Sequence, residues 1–91
     1  MRVRVQLFGA MRELAGGRDA HFTLSDGACL QDLLDGMQKR FPELMVRLRP
    51  SLDTGYVAAL VDGRNAVLAE GMKTALGDGS TVVFVPPAAG G

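Results

Sequence analysis

The opening stretch "MRVRVQLFG" alternates: Val3, Val5 and Leu7 fall on one side of an extended chain, Arg2, Arg4, Gln6 and Phe8 on the other. A period of two predicts a half-buried β-strand. "GAMRELAGG" then spaces Met11, Leu14 and Ala15 for a helical turn, with Gly16-Gly17 to stop it. "AHFTLS" puts Phe22 and Leu24 on one face, so an antiparallel pairing of the first two strands is expected. In "CLQDLLDGMQKRF" the period changes, and Leu30, Leu33, Leu34, Met37 and Phe41 form one helical stripe. Asp32 and Asp35 lie toward its start and Lys39 and Arg40 toward its end, as the helix dipole favours. Cys29 stands where a capping Ser or Thr is expected, which leaves Ser25 or Asp26 as substitute caps. Pro42 ends the helix. Gly36, inside the stripe, costs about 1 kcal/mol relative to alanine, and nothing in the sequence accounts for it.

Residues 42–55, "PELMVRLRPSLDTG", are expected to form a long connection with a helical turn around Glu43 to Leu48. "YVAALV" is a third strand, "DG" at 62 and 63 a tight turn, "NAVLA" a short strand and "TVVFV" the last strand. The order is therefore β, β, α, β, short β, β. One amphipathic helix on one face of a mixed four- to five-stranded sheet buries both apolar faces, an α+β arrangement. The link between the first and last strands is long enough to carry a helical crossover, so these two can lie parallel at the centre. That layout is the β-grasp, the ubiquitin-like shape. A single domain over 1–87 and a flexible Ala-Ala-Gly-Gly tail over 88–91 are expected.

Composition narrows the chemistry. The chain has 91 residues, room for one small core. Ten Lys plus Arg balance ten Asp plus Glu, which gives no basic excess for nucleic acid. Lys39, Arg40, Arg47 and Arg49, diluted by Glu43, make a solvated face. Cys29 is the only cysteine and His21 the only histidine, so no disulfide, CxxC pair or His-rich metal site is expected. Cys29 is read as structural and His21 as a surface or half-buried strand residue. The lack of a signal-like run and of any long apolar segment points to a cytoplasmic protein without a membrane span. No Gly-rich phosphate loop occurs, so ATP is not expected to bind this chain.

The last strand runs into "PPAAGG". Pro86 and Pro87 restrict the backbone where the strand ends. Ala88, Ala89, Gly90 and Gly91 carry nothing larger than a methyl group and span at most about 13 to 14 Å. Such a segment can thread a narrow channel. A carboxylate on Gly91 is ionised at neutral pH and can attack the α-phosphate of ATP in an activating enzyme. A sulfur nucleophile can then displace AMP and leave a thiocarboxylate.

"LFGAMRELAG", "LQDLLDGMQKRFPEL", "VAALVDG" and "LGDGSTVVFVPPAAGG" together resemble the MoaD/ThiS family of ubiquitin-like sulfur carriers, in particular the molybdopterin synthase small-subunit branch. The resemblance implies a non-catalytic sulfur-carrier subunit of a sulfurtransferase. Gly91 would be adenylated by an E1-like adenylyltransferase, with ATP bound there, and supplied with sulfur by a sulfurtransferase or cysteine desulfurase system. The segment from Pro86 through Gly90 would thread into the molybdopterin synthase large (catalytic) subunit, in a heterotetramer, and deliver sulfur to cyclic pyranopterin monophosphate. Two departures stand out: Val85 replaces a frequent aromatic, and Ser80 replaces a frequent acidic residue, which removes a charge from the rim of the turn.

Strand alternation adds a docking surface. With Val82 and Phe84 inward, Val83 and Val85 point out, joined by Phe8, and by Leu60 if Val57, Ala59 and Val61 point inward. An outward apolar patch on a small domain suggests a partner surface. Three alternatives share the fold: a sulfur carrier for thiamine-thiazole or cysteine biosynthesis, a ubiquitin-like protein modifier joined to lysines through Gly91, and a β-grasp binding module with an inert tail.

Overall fold

A computed structural model describes residues 1–66 and 69–86. The elements are β1 (Arg2–Gln6), α1 (Gly9–Leu14), β2 (Ala20–Thr23), α2 (Leu30–Arg40), α3 (Pro42–Asp53), β3 (Ala58–Val61), β4 (Arg64–Asn65), a 3-10 turn (Gly71–Lys73) and β5 (Thr81–Val85). They build one five-stranded sheet in the order β2-β1-β5-β3-β4. β1 and β5 run parallel at its centre, with Val5 opposite Val82. β2 flanks β1 and β3 flanks β5, both antiparallel. The expected β-grasp arrangement is therefore present.

The inner sheet face supplies Val3, Val5, Phe22, Ala59, Val61, Val82 and Phe84 to the core. Against it lie the stripe of α2 (Leu30, Leu33, Leu34, Met37) and Leu44, Met45 and Leu48 of α3, all buried. Residues 42–55 are thus more than a connection with one turn. Pro42 terminates α2 and also opens α3, because its missing N–H and fixed φ suit the first helical position. Pro50 is tolerated inside the 12-residue α3. The helix forms because Leu44, Met45, Leu48 and Leu52 lie on one side of it and share the core with α2.

The cap of α2 also differs from expectation. Cys29 is itself the N-cap residue, and its backbone N–H donates to Asp32 Oδ2 at 2.8 Å. Neither Ser25 nor Asp26 serves: the Ser25 carbonyl accepts from the Ala28 N–H, and Asp26 lies 3.5 Å from the N-terminal ammonium. At the other end of α2, Arg40 donates to the His21 carbonyl at 2.6 Å. Its guanidinium lies 4.7 Å from the Phe22 ring centre and 5.2 Å from that of Phe41. These contacts fasten the helix end across β2.

The "DG" turn appears as expected, with Asp62 at φ 50° and Gly63 at φ 86° joining β3 to β4. β4 is two residues long and includes only Asn65 of the "NAVLA" segment, whose Val67 and Leu68 lie outside the described residues. Ser80, expected at the rim, is buried, and its hydroxyl donates to Asp62 Oδ2 at 2.8 Å while accepting the Gly77 N–H at 2.9 Å. The polar side chain is satisfied inside a turn-to-strand clasp. No helix among the described residues is long and apolar enough to cross a membrane.

Candidate functional site

Sheet register decides which side chains share the outer face. Gln6 lies opposite Val83, and Val83 opposite Leu60. Ala58 lies opposite Val85 on the same face. Because Val57, Ala59, Val61, Val82 and Phe84 are all buried, Leu60, Val83 and Val85 must point away from the helices. Each is half-buried, so together they make an apolar strip along the β3–β5 half of the sheet.

The other half is polar. Arg2 pairs with Thr23 and Arg4 with His21 across β1 and β2, all four exposed. Arg4 Nε donates to Asp19 at 2.9 Å. The outer face therefore grades from charged at β2 to apolar at β5. That gradient gives any protein seated on the strip a charged border that fixes its orientation. His21, as expected of a surface strand residue, belongs to this border.

The strip ends where the chain leaves β5. Pro86 is exposed, whereas Pro87, Ala88, Ala89, Gly90 and Gly91 lie outside the described residues. Phe8 follows β1 at the same end of the sheet, since β1 and β5 are parallel. It is the extended N-cap residue of α1 and is 43% exposed. A large aromatic left open beside a strand terminus is an anchor waiting for a pocket or a cover. The structure thus brings Leu60, Val83, Val85, Phe8 and Pro86 to one continuous region.

Beyond Phe8 the surface dips into a groove of about 410 Å³, between the start of α1, the middle of α3 and the approach to β3. Met11, Arg47, Tyr56, Val57 and Pro86 are among its lining residues. Tyr56 is 63% exposed. Neither Arg47 nor Tyr56 stands out in the sequence, because Arg47 falls in the expected connection over 42–55 and Tyr56 at the head of the expected third strand, whereas β3 begins only at Ala58. The aromatic set directly after Gly55, where α3 has ended, was the available signal.

This geometry is that of a ubiquitin-like β-grasp domain with an apolar outer strip that reaches the end of its central strand β5 at Pro86. Residues 5–91 match the ThiS family, and the chain belongs to it. It therefore stands among the ubiquitin-like sulfur carriers and modifiers of the ThiS/MoaD type. It is 33% identical over 92 residues to small archaeal modifier protein 3 of Haloferax volcanii, covering 100% of both chains. To the molybdopterin synthase sulfur carrier subunit of Chlamydomonas reinhardtii it is 31% identical over 91 residues, again with 100% of both covered. The crystal structure of SAMP1 from Haloferax volcanii superposes with a TM-score of 0.79 at 25% identity, with 100% of each chain covered.

Proposed function

We propose that this chain carries sulfur on Gly91 and delivers it to cyclic pyranopterin monophosphate, as the small subunit of a molybdopterin synthase. The observation that carries the proposal is the meeting of the outward apolar strip and the root of "PPAAGG" at one strand end. A partner that docks on Leu60, Val83, Val85 and Phe8 receives the terminal segment at a fixed point, Pro86. The full-length similarity to the Chlamydomonas carrier subunit supports this choice of pathway.

The chemistry divides between chains. In an E1-like adenylyltransferase, the Gly91 carboxylate attacks the α-phosphorus of ATP and pyrophosphate leaves. A sulfide-level nucleophile from a sulfurtransferase or cysteine desulfurase system then attacks the acyl carbon, and AMP departs with the bridging oxygen. The product is a thiocarboxylate on Gly91. This chain contributes no general acid or base to either step. It supplies a hindrance-free acyl group, since Gly91 lacks a side chain, and a segment slim enough to enter a channel. In the synthase large subunit the sulfur transfers to the pterin precursor, and Gly91 returns to a carboxylate. Docking energy from the sheet face pays for holding the terminus at the reacting atoms.

A second use of the same activated terminus is favoured by the similarity to small archaeal modifier protein 3. There the acyl adenylate or a thioester derived from it would meet a lysine amine of a target protein and form an isopeptide.

Reconstitution separates the two. With the adenylyltransferase, ATP and a sulfide source, followed by a molybdopterin synthase large subunit, the chain is expected to convert cyclic pyranopterin monophosphate to molybdopterin. Loss of conversion on deleting Gly91 is part of the expectation. Absence of molybdopterin, with Gly91-dependent lysine adducts in cell extracts instead, would favour the modifier.

A further inference from the structure

We infer that the groove beside Pro86 is a second docking site, which adjoins the sheet-face strip at Phe8 and Pro86. It takes an apolar side chain of the activating enzyme followed closely by a carboxylate that Arg47 binds. The inference rests on the proposal that Gly91 is activated by a partner, and it names how that partner grips the root of the terminal segment.

The groove is apolar at its floor and open at its mouth. Met11 and Val57 contribute hydrocarbon, while Phe8 and Tyr56, 43% and 63% exposed, stand at its edges. Two exposed aromatics flanking a depression is the arrangement that supplies binding energy at protein interfaces, where Tyr and Arg are enriched among dominant contacts. A side chain seated between them would be screened from water on both sides.

Charge then identifies the occupant. Among the described residues, Arg47 is the only charged one lining the groove. Four other guanidinium groups are engaged: Arg4 with Asp19, Arg12 with the Gly17 carbonyl, Arg40 with the His21 carbonyl, Arg49 with Asp35 and Gln38; Arg2, Arg18 and Arg64 are unengaged among the described residues, but none of them lines the groove. The Arg47 guanidinium has no hydrogen-bond or ion-pair partner among the described residues. A planar, permanently charged fork on an otherwise apolar wall matches a carboxylate in two-point contact. The chain as a whole has no net charge, so this is a single local contact and no basic track for a polyanion.

Position supplies the purpose. Pro86 forms part of the groove wall, so a protein that fills the groove also fixes the first residue of the segment it must draw into its ATP site. The sheet strip holds the body; the groove fixes Pro86, the last described residue before the reacting segment.

The test uses the full chain and its adenylyltransferase, with carrier-dependent ATP–pyrophosphate exchange as the readout. Arg47→Glu is expected to raise the KM for the carrier at least tenfold and leave kcat unchanged. Arg47→Lys, a point charge in place of the fork, should raise it less, and Tyr56→Ala should act in the same direction as Arg47→Glu. Both positions are exposed, and thermal unfolding would verify that the three variants fold. An unchanged KM for Arg47→Glu overturns the inference. A chain truncated after Pro86 serves as a competitor: inhibition at the wild-type KM is expected. Tenfold tighter inhibition would mean that the chain's own terminal residues occupy the groove, and would also overturn it. If wild-type protein supports no exchange, activation of Gly91 fails. Calorimetric binding of the Arg47 variants to the same enzyme then still decides the groove.

Discussion

Gly36 looks like a fault in α2 until β2 is placed against it. The Phe22 ring covers this point of the helix, and a Cβ built on Gly36 would stand 3.5 Å from Phe22 Cδ2. That is ordinary contact, not a clash. The glycine thus eases the approach of the ring without being required by it, and its helix penalty remains. Gly36→Ala is expected to raise the unfolding free energy by up to about 1 kcal/mol, read as a higher denaturation midpoint. Asp32 makes the opposite case, a residue whose role is larger than its exposure suggests. The Cys29 backbone N–H, and then the Cys29 side chain, hold its carboxyl below the usual range. A carboxyl depressed in the folded state stabilises in full above its unfolded pKa, and that stabilisation is lost as pH falls through the folded value. Asp32→Ala should therefore lower stability at neutral pH and converge with wild type in acid, below the carboxylate range. Parallel pH profiles would contradict the cap.

Among the elements, strands and α2 are legible in the sequence because each has one clear period and a well-marked end. α3 is not, and the reason is chemical. A proline can stop one helix and start the next, and "RFPEL" carries both meanings until the burial of Leu44, Met45 and Leu48 shows that a second helix faces the core. Ser80 is opaque for a similar reason, since its partner is set by tertiary structure. The hydroxyl and the Thr81 N–H both bond to the carboxylate of Asp62, at 2.8 and 2.9 Å, which ties the β3–β4 turn to the start of β5. Asp62→Gly keeps the left-handed backbone available and removes only the carboxylate. It is expected to destabilise by about 1–3 kcal/mol, because a buried hydroxyl loses its acceptor. A neutral effect in equilibrium unfolding would mean that the turn conformation alone matters.

For the molecule as a whole, the fold and the outward strip follow from alternation, since a strand with an inward Val82 and Phe84 must expose Val83 and Val85. The groove does not follow. It is assembled from α1, α3, the residues before β3 and the end of β5, and no local pattern announces that these meet. Under the proposed function, the assembled surface holds a small domain by its sheet while Gly91 reacts in the partner.

Central to this account is the identity of the reacting group at Gly91. Intact-mass analysis of protein isolated after incubation with its adenylyltransferase, ATP and a sulfide source, with fragmentation of the C-terminal peptide, addresses it directly. The predicted result is the mass increase for exchanging one oxygen for sulfur, confined to Gly91 and absent without ATP. An unmodified Gly91 under those conditions, or sulfur found at Cys29 instead, would contradict it.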